Sequence, residues 1–358
     1  MRKRLFVVAS VYQLFNAINI TEYENSYDDT SLVLLQTNEL FSANFNIDYL
    51  KSIFENVWLV NFQPSNNKTI KLLHVLQELF KKKIFDVMID KQFDEVLISG
   101  TEIYSKLIAC KILREDTDLL FFEDGLASYF SVLDKKTKKK NDLILKLRFG
   151  INPLEYCKGV YIYEPKSVCN NTFGKQLHSI HKVKDRKFVN IDLNKIGRET
   201  PIIFRKRFIF LNAWFENKNE YDFQRKMTDL MLRNFGNDNC CIKTHPNELK
   251  RLKKEDGVEY ITKKSSFEIS NYYNDFSDSV FISVISSASL TPKLVYGQEP
   301  IIVFLYKMFQ KKFGLWDGVD STISTMIDLY SDKTRIYIPE SIEEYERILL
   351  QLSERVLI

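Results

Sequence analysis

Leu119-Leu120-Phe121-Phe122-Glu123-Asp124-Gly125 is a run of four apolar residues leading straight into two carboxylates and a glycine. A continuous apolar run of this length predicts a strand buried on both faces, as in a parallel sheet. The carboxylates at its end then fall at the rim of the sheet, and Gly125 lets the chain turn sharply there. Open α/β sheets bind ligands outside the carboxyl ends of their strands. Glu123 and Asp124 are therefore candidates for acid–base chemistry. A plainer alternative makes Glu123 a cap or ion-pair partner and Asp124-Gly125 a simple turn.

Working outward, the first half of the chain alternates strand and helix signals. Strands are predicted at Leu5–Ala9, Leu32–Gln36, Val57–Phe62, Glu95–Ser99 and Leu119–Phe122. Helical stretches lie between them, at Tyr12–Ile20, Ala43–Phe54, Thr69–Phe85 and Glu102–Leu113. This rhythm is that of a parallel sheet with crossover helices. It assigns residues 1–165 to one doubly wound, Rossmann-like domain, with the basic stretch Asp134–Asp142 as an exposed loop.

Periodicity is lost over 166–207, which reads as an interdomain connection with a short strand at Phe188–Ile191. His178 and His181 could share a helix face there, but they have no nearby cysteine or carboxylate partners and read as surface histidines. His74, among leucines, reads as structural. Alternation resumes with strands at Phe208–Leu211, Cys240–Lys243, Val258–Ile261, Val280–Ile285 and Ile301–Phe304. Helices follow at Tyr221–Phe235, Phe267–Phe276, Ala288–Tyr296 and Ile342–Arg355. Residues 208–358 thus form a second parallel α/β domain, and two such domains in series imply strand ends facing each other across a cleft.

Bulk properties narrow the function. At 358 residues, with 45% hydrophobic and 27% charged residues, the chain can fill two cores. A net charge of +4, from 51 Lys and Arg against 47 Asp and Glu, is too balanced to argue for nucleic acid. The cations are clustered, at Arg2–Arg4, Lys81–Lys83, Lys135–Lys140, Arg205–Arg207 and Lys250–Lys254. Such runs are usually solvated faces, and otherwise suit an anionic membrane surface. The start MRKRLFVVAS has too short an apolar part, and no small-residue cleavage site, to read as a signal peptide. No run reaches the ~18 apolar residues of a membrane span. Five cysteines without a CxxC pair read as reduced core thiols of a cytoplasmic protein rather than metal ligands.

Two further constellations sit at predicted strand ends. Cys240–Pro246 reads CCIKTHP, which puts Lys243, Thr244 and His245 at the end of a strand halted by Pro246. Histidine is the side chain best suited to proton transfer near neutrality, although a local backbone carbonyl could equally satisfy it. Val280–Ala288 reads VFISVISSA, so Ser286 and Ser287 stand where a strand gives way to a helix ended by Gly297. Hydroxyls and free N–H groups at a helix start make an anion site; the plain alternative is an N-cap. Asp116-Thr117-Asp118 matches a DxD pattern but precedes its strand, at the wrong end of the sheet. No P-loop, GxGxxG or GxSxG occurs.

Taken together, EDG at 123–125, HP at 245–246 and SS at 286–287 resemble the bacterial sialyltransferases. The opening VVASVYQLFNAINI, with Tyr12-Gln13-Leu14, looks more specifically like glycosyltransferase family 52, which holds lipooligosaccharide and capsular sialyltransferases. The resemblance runs from the first strand to about Phe304. It implies a B-type glycosyltransferase fold that needs no metal or cofactor and uses CMP-N-acetylneuraminic acid as donor. Transferred to this chain, it makes Asp124 the base, with Glu123 orienting it or binding acceptor. His245 becomes the phosphate-binding acid or positive partner, with Ser286, Ser287, Lys243 and Pro246 about the donor phosphate. Tyr12, Gln13 and Thr101 become acceptor-side candidates. The loop with Trp214, Glu216 and Asp222 offers carboxylates that rival Asp124.

The sequence reading is therefore a cytoplasmic inverting sialyltransferase acting on a terminal galactose of a capsular polysaccharide or lipooligosaccharide. Its partners are a nucleotide-sugar donor and a glycan acceptor; peripheral contact with the inner face of the membrane and a homodimer stay open. Alternatives are a glycosyltransferase using another donor, such as a glucosyltransferase, a catalytically silent nucleotide-sugar-binding protein, and a nucleotide-sugar epimerase.

Overall fold

The computed structural model describes residues 2–24, 29–36, 45–61, 79, 92–99, 103–129, 139–168, 175–183, 192–196, 202–215, 217–245, 257–262, 267–313 and 318–356. The chain divides into two compact units. The first takes Met1–Val183 and Lys187–Thr200, and the second takes Lys184–Arg186 with Pro201–Ile358.

In the first unit the elements run β1 (Lys3–Val8), α1 (Val11–Tyr23), β2 (Asp29–Gln36), α2 (Ile47–Ile53), β3 (Asn56–Asn61), β4 (Glu95–Ser99), α3 (Ile103–Ile112) and β5 (Asp118–Phe122). They continue with α4 (Lys139–Phe149), α5 (Pro153–Tyr156), β6 (Gly159–Ile162), β7 (Gln176–Ser179) and α6 (Leu193–Ile196). The strands form one sheet in the order β3-β2-β1-β4-β5-β6-β7, every pair parallel. β5 is buried on both faces, as its apolar run predicts. Leu119 and Phe121 join the main core with Leu5, Val7, Val96 and Ile98. On the opposite face Phe122 meets Phe6 edge-to-face, with centroids 6.0 Å apart.

The second unit repeats the plan. Its elements are β8 (Phe208–Leu211), α7 (Lys218–Phe235), β9 (Cys240–Lys243), β10 (Glu259–Ile261), α8 (Phe267–Tyr273), β11 (Val280–Ser283) and α9 (Ser287–Tyr296). Then come β12 (Ile301–Phe304), α10 (Tyr306–Phe313), α11 (Val319–Ile327), β13 (Ile336–Tyr337) and α12 (Ile342–Val356). Strand order is β10-β9-β8-β11-β12-β13, again all parallel. β8 divides its residues between two cores by its pleat. Phe208 and Phe210 pack with Met227, Met231 and Leu349, whereas Ile209 and Leu211 pack with Phe267, Phe276 and Phe281.

Both sheets reverse direction beside their first strand, between β1 and β4 and between β8 and β11. Doubly wound sheets bind ligands at such switch points, outside the carboxyl strand ends.

Several expectations need correction. The first sheet does not stop at 165: β7 adds a strand from what reads as connection. His178 is therefore on a strand and not a helix, so a spacing of three does not bring it alongside His181. It stacks instead on Tyr161, with centroids 4.8 Å apart, while His181 stacks on Tyr23 at 5.1 Å. The stretch 134–142 is not all loop. α4 begins at Lys139, and Asp142 is buried, accepting from Lys106 Nζ at 2.8 Å. Most of the predicted helix 69–85, with His74, and the strand at 188–191 lie outside the described residues, as do the runs 81–83 and 250–254. Cys110, Cys157, Cys240 and Cys241 are buried free thiols. Among the described residues no helix is long and apolar enough to cross a membrane.

Candidate functional site

The first group of residues lies at the carboxyl edge of the first sheet. As β5 ends, the Glu123 N–H still donates to Tyr161 O at 2.9 Å, so the ladder persists one residue beyond the strand. Gly125 then takes φ 86°, the left-handed turn its position calls for. Glu123 is 0% exposed. Its Oε1 accepts from the Tyr12 hydroxyl at 2.7 Å, and its Oε2 from the Tyr129 hydroxyl at 2.8 Å and the Tyr163 N–H at 3.0 Å. Asn16 Nδ2 donates to the Glu123 carbonyl at 3.0 Å. Burial pushes the carboxyl up to about 7; the three donors pull it down, and the neighbouring charge of Asp124 adds to the rise. A side chain so enclosed cannot touch a sugar. It is a hub that fixes the ends of β1, β5 and β6 together.

Asp124 differs from its neighbour in being half-buried. Ser99 Oγ, at the end of β4, donates to Asp124 Oδ2 at 2.9 Å, and the Asp124 N–H donates to Ser128 Oγ at 2.8 Å. Backbone and carboxylate are thus both oriented, one strand from the switch point, with the side chain still reachable.

Tyr12 is spent on Glu123, and Gln13 is buried, its Oε1 accepting from the Ala9 N–H at 2.7 Å. Ser10 caps α1 by accepting from the Gln13 N–H at 3.2 Å. These residues build the loop after β1. Thr101 lies outside the described residues. Asp116 and Asp118 fall at the amino end of β5, as the sequence predicts: Asp116 accepts from Gln92 Nε2 at 2.7 Å and Asp118 pairs with Lys158.

The second group lies at the carboxyl edge of the second sheet. Thr244 anchors the end of β9, its N–H and hydroxyl both donating to Ile261 O, at 3.2 and 3.1 Å. His245 follows, half-buried, with its ring stacked on that of Trp214 at 6.4 Å between centroids. Burial and then the nearby Lys243 ammonium hold its imidazole below the usual range, which favours the neutral ring at pH 7. Lys243 Nζ donates to Thr244 O at 3.0 Å. Trp214 comes from the loop after β8, which Gln224 holds. Gln224 Oε1 accepts from the Ala213 N–H at 2.8 Å and its Nε2 donates to Ala213 O at 3.3 Å. The equivalent loop of the first unit is held by the same device, Gln13 on Ala9.

Ser286 is the N-cap of α9, at φ −141° and ψ 130°, and its side chain makes no capping bond. Ser287 opens the helix. Both are half-buried, beneath them Ser283 and Ser289 share a hydrogen bond at 3.0 Å, and Gly297 closes the helix in the left-handed conformation. The helix start presents its first N–H groups at the same edge as His245. β9 and β11 are separated by β8 alone, about 10 Å at normal strand spacing. Pro246 and Glu216 lie outside the described residues, and Asp222 is exposed in α7. Among the described residues no group of three His, Cys, Asp or Glu could hold a metal ion.

The roles of Tyr129, Tyr163, Ser99 and Gln224 escape a reading of the sequence, because each partner lies on another element. A glutamine five residues after the end of β1 is the single local signal.

No protein-family model matches the chain, and no curated protein matches it. Solved structures do. The glycotransferase of kitacinnamycin aligns over 99% of this chain and 91% of its own, at 8% identity and TM-score 0.53. Spinosyn rhamnosyltransferase SpnG, complexed with thymidine diphosphate, aligns over 100% and 92%, at 7% identity and TM-score 0.52. A UDP-N-acetylglucosamine 2-epimerase aligns over 99% and 87%, at 11% identity and TM-score 0.50. The fold is that of the B-type glycosyltransferases, two Rossmann-like parallel-sheet units in one chain.

Proposed function

We propose that this chain is an inverting glycosyltransferase, with Asp124 as the base and His245, Ser286 and Ser287 receiving the donor phosphate. One observation carries the reading. The reachable carboxylate of the first unit and the histidine and uncapped helix start of the second all stand at carboxyl strand ends next to a switch point. More finely, we propose a sialyltransferase that uses CMP-N-acetylneuraminic acid and a terminal galactose of a capsular polysaccharide or lipooligosaccharide. The EDG, HP and SS motifs support that donor.

In this reaction Asp124 takes the proton of the acceptor hydroxyl as that oxygen bonds to the anomeric carbon. The bond from that carbon to the phosphate oxygen breaks on the opposite face, its electrons going to the phosphate, and configuration inverts. The transition state is oxocarbenium-like, so positioning and stabilisation of the departing phosphate supply most of the rate. The helix N–H groups and serine hydroxyls donate to that phosphate. His245 is neutral at rest; an arriving anion raises its proton affinity, so it becomes the acid where charge develops. Glu123 is a positioning residue. The reading calls for no metal, and turnover in a chelator tests that directly.

A second reading, a nucleoside-diphosphate sugar as donor, draws support from fold neighbours named for sugar transfer and from SpnG's thymidine diphosphate. One assay separates the two: nucleotide release from CMP-N-acetylneuraminic acid, UDP-sugars and TDP-sugars, each with a galactoside acceptor. Release of CMP that depends on acceptor and is lost in Asp124→Asn is expected. Turnover with a UDP- or TDP-sugar alone overturns the sialyl donor, and turnover with none overturns the transferase.

A further inference from the structure

The amino edge of the first sheet, away from Asp124, holds a cavity of about 410 Å³. That volume lies in the range of small-ligand sites. The most deeply buried side chain lining it is Arg4 of β1, 1% exposed. Arg4 Nε donates to Glu95 Oε2 of β4 at 2.5 Å, and its Nη2 donates to Glu24 Oε2, just past α1, at 2.7 Å. The Tyr161 hydroxyl of β6 also donates to Glu24 Oε2, at 3.0 Å. His178 of β7, half-buried, stacks on Tyr161 and lines the same cavity, and Lys158 pairs with Asp118 beside it.

These ion pairs leave hydrogen-bonding capacity unused, because a carboxylate has two oxygens and several lone pairs. Among the described residues Glu24 Oε1, Glu95 Oε1 and Asp118 Oδ2 accept no hydrogen bond, and neither the Gln176 amide nor the His178 ring makes one. Charge decides what can use these groups. The three carboxylates stand against three cations, Arg2, Arg4 and Lys158. An entering anion meets the carboxylates and an entering cation meets the guanidinium groups, so neither is favoured. A neutral molecule whose hydroxyls both donate and accept is suited to all of them. The His178 ring, backed by Tyr161, adds an aromatic wall for an apolar C–H face.

We infer that this cavity binds a neutral sugar, whose hydroxyls donate to Glu24 and Asp118 and bond with Gln176 and His178. An amino acid, with one charge of each sign, is the rival ligand. The site lies at the opposite edge of the sheet from the residues assigned to transfer, so either reading can fail without the other.

Histidine ring-proton resonances of the full chain test it, those of His178 being assigned by their loss in His178→Gln. Titration with lactose at fixed pH should move the His178 resonances saturably, and should do so equally in Asp124→Asn. Inorganic phosphate and glycine should leave them in place. Gln176→Ala, at an exposed side chain of the edge strand, should weaken the lactose response about tenfold. Should that variant not fold, Asp118→Ala at the neighbouring strand start reports instead, with the same loss expected. A saturable response to phosphate or glycine in place of lactose, no response to any of the three, or a full lactose response in both variants would each overturn the inference.

Discussion

Tyr12, on the first turn of α1, donates its hydroxyl to Glu123 at 2.7 Å across a sequence gap of 111 residues. The bond joins the loop after β1 to the end of β5 and closes a set of three donors around a carboxyl group sealed from water. The group beside it, Asp124, is half-buried and accepts from Ser99 Oγ. Adjacent acidic residues thus differ in access: one is sealed inside the fold, and the proposed base is the one left reachable.

The first prediction concerns that sealed carboxyl. Its folded-state value, about 7, lies above the ordinary 4.5. Between those pH values the folded chain keeps a proton that the unfolded chain has released. Stability therefore falls as pH rises from 4.5 to 7, by something on the order of 3 kcal/mol, and levels off above 7. In Glu123→Gln the slope disappears, because an amide at that place does not titrate and the Tyr12 hydroxyl can turn to accept its N–H. Urea midpoints across pH 5 to 8 measure the difference; parallel profiles would refute it.

Asp124→Asn should lower turnover by about a hundredfold or more, the usual cost of losing a general base, with an unchanged circular dichroism spectrum. Ser99→Ala removes the 2.9 Å bond that aims the carboxylate. It should reduce kcat by about tenfold with KM little altered, and Ser99→Thr should restore most of it. An intact rate in Asp124→Asn would transfer the role of base to another group.

For His245, substitution of its cationic neighbour is informative. Burial is the larger cause of its low proton affinity and Lys243 the second. Lys243→Gln should raise the imidazole titration toward its ordinary value without reaching it, as followed by the ring proton resonances. Addition of the nucleotide product should raise it further in the wild type. If the titration is indifferent to nucleotide, His245 does not face the phosphate.

Ser286→Ala separates capping from binding. An N-cap serine ordinarily contributes about 1 kcal/mol, but this side chain makes no capping bond. Its loss should shift the unfolding midpoint less than that figure implies, while nucleotide affinity falls on the order of tenfold. A large loss of stability with unchanged affinity would mark it as an ordinary cap.

Much of this was legible from residue order alone. β4, β8, β9 and β12 fall where their apolar runs put them, and the three motifs sit at carboxyl strand ends, because a doubly buried strand announces itself by continuous hydrophobicity. β7 (QLHS) and β13, two residues long, lie at sheet edges and lack that signal. Their strand character comes from the neighbour that pairs with them. Gly159 belongs to the same lesson: a Cβ there would come within 2.8 Å of His178 Nε2, a constraint set by a strand still to come. The enclosure of Glu123 was equally hidden, since its donors come from residues 12, 129 and 163. Sequence placed the acid pair; only the fold could say which acid stays dry.

Gln13 on Ala9 and Gln224 on Ala213 bear on how a ligand is received. Each holds, once the chain is folded, the loop that leaves the first strand of its sheet. If the proposed donor or acceptor meets these loops, the entropy of ordering them is already lost in folding, and association need not supply it.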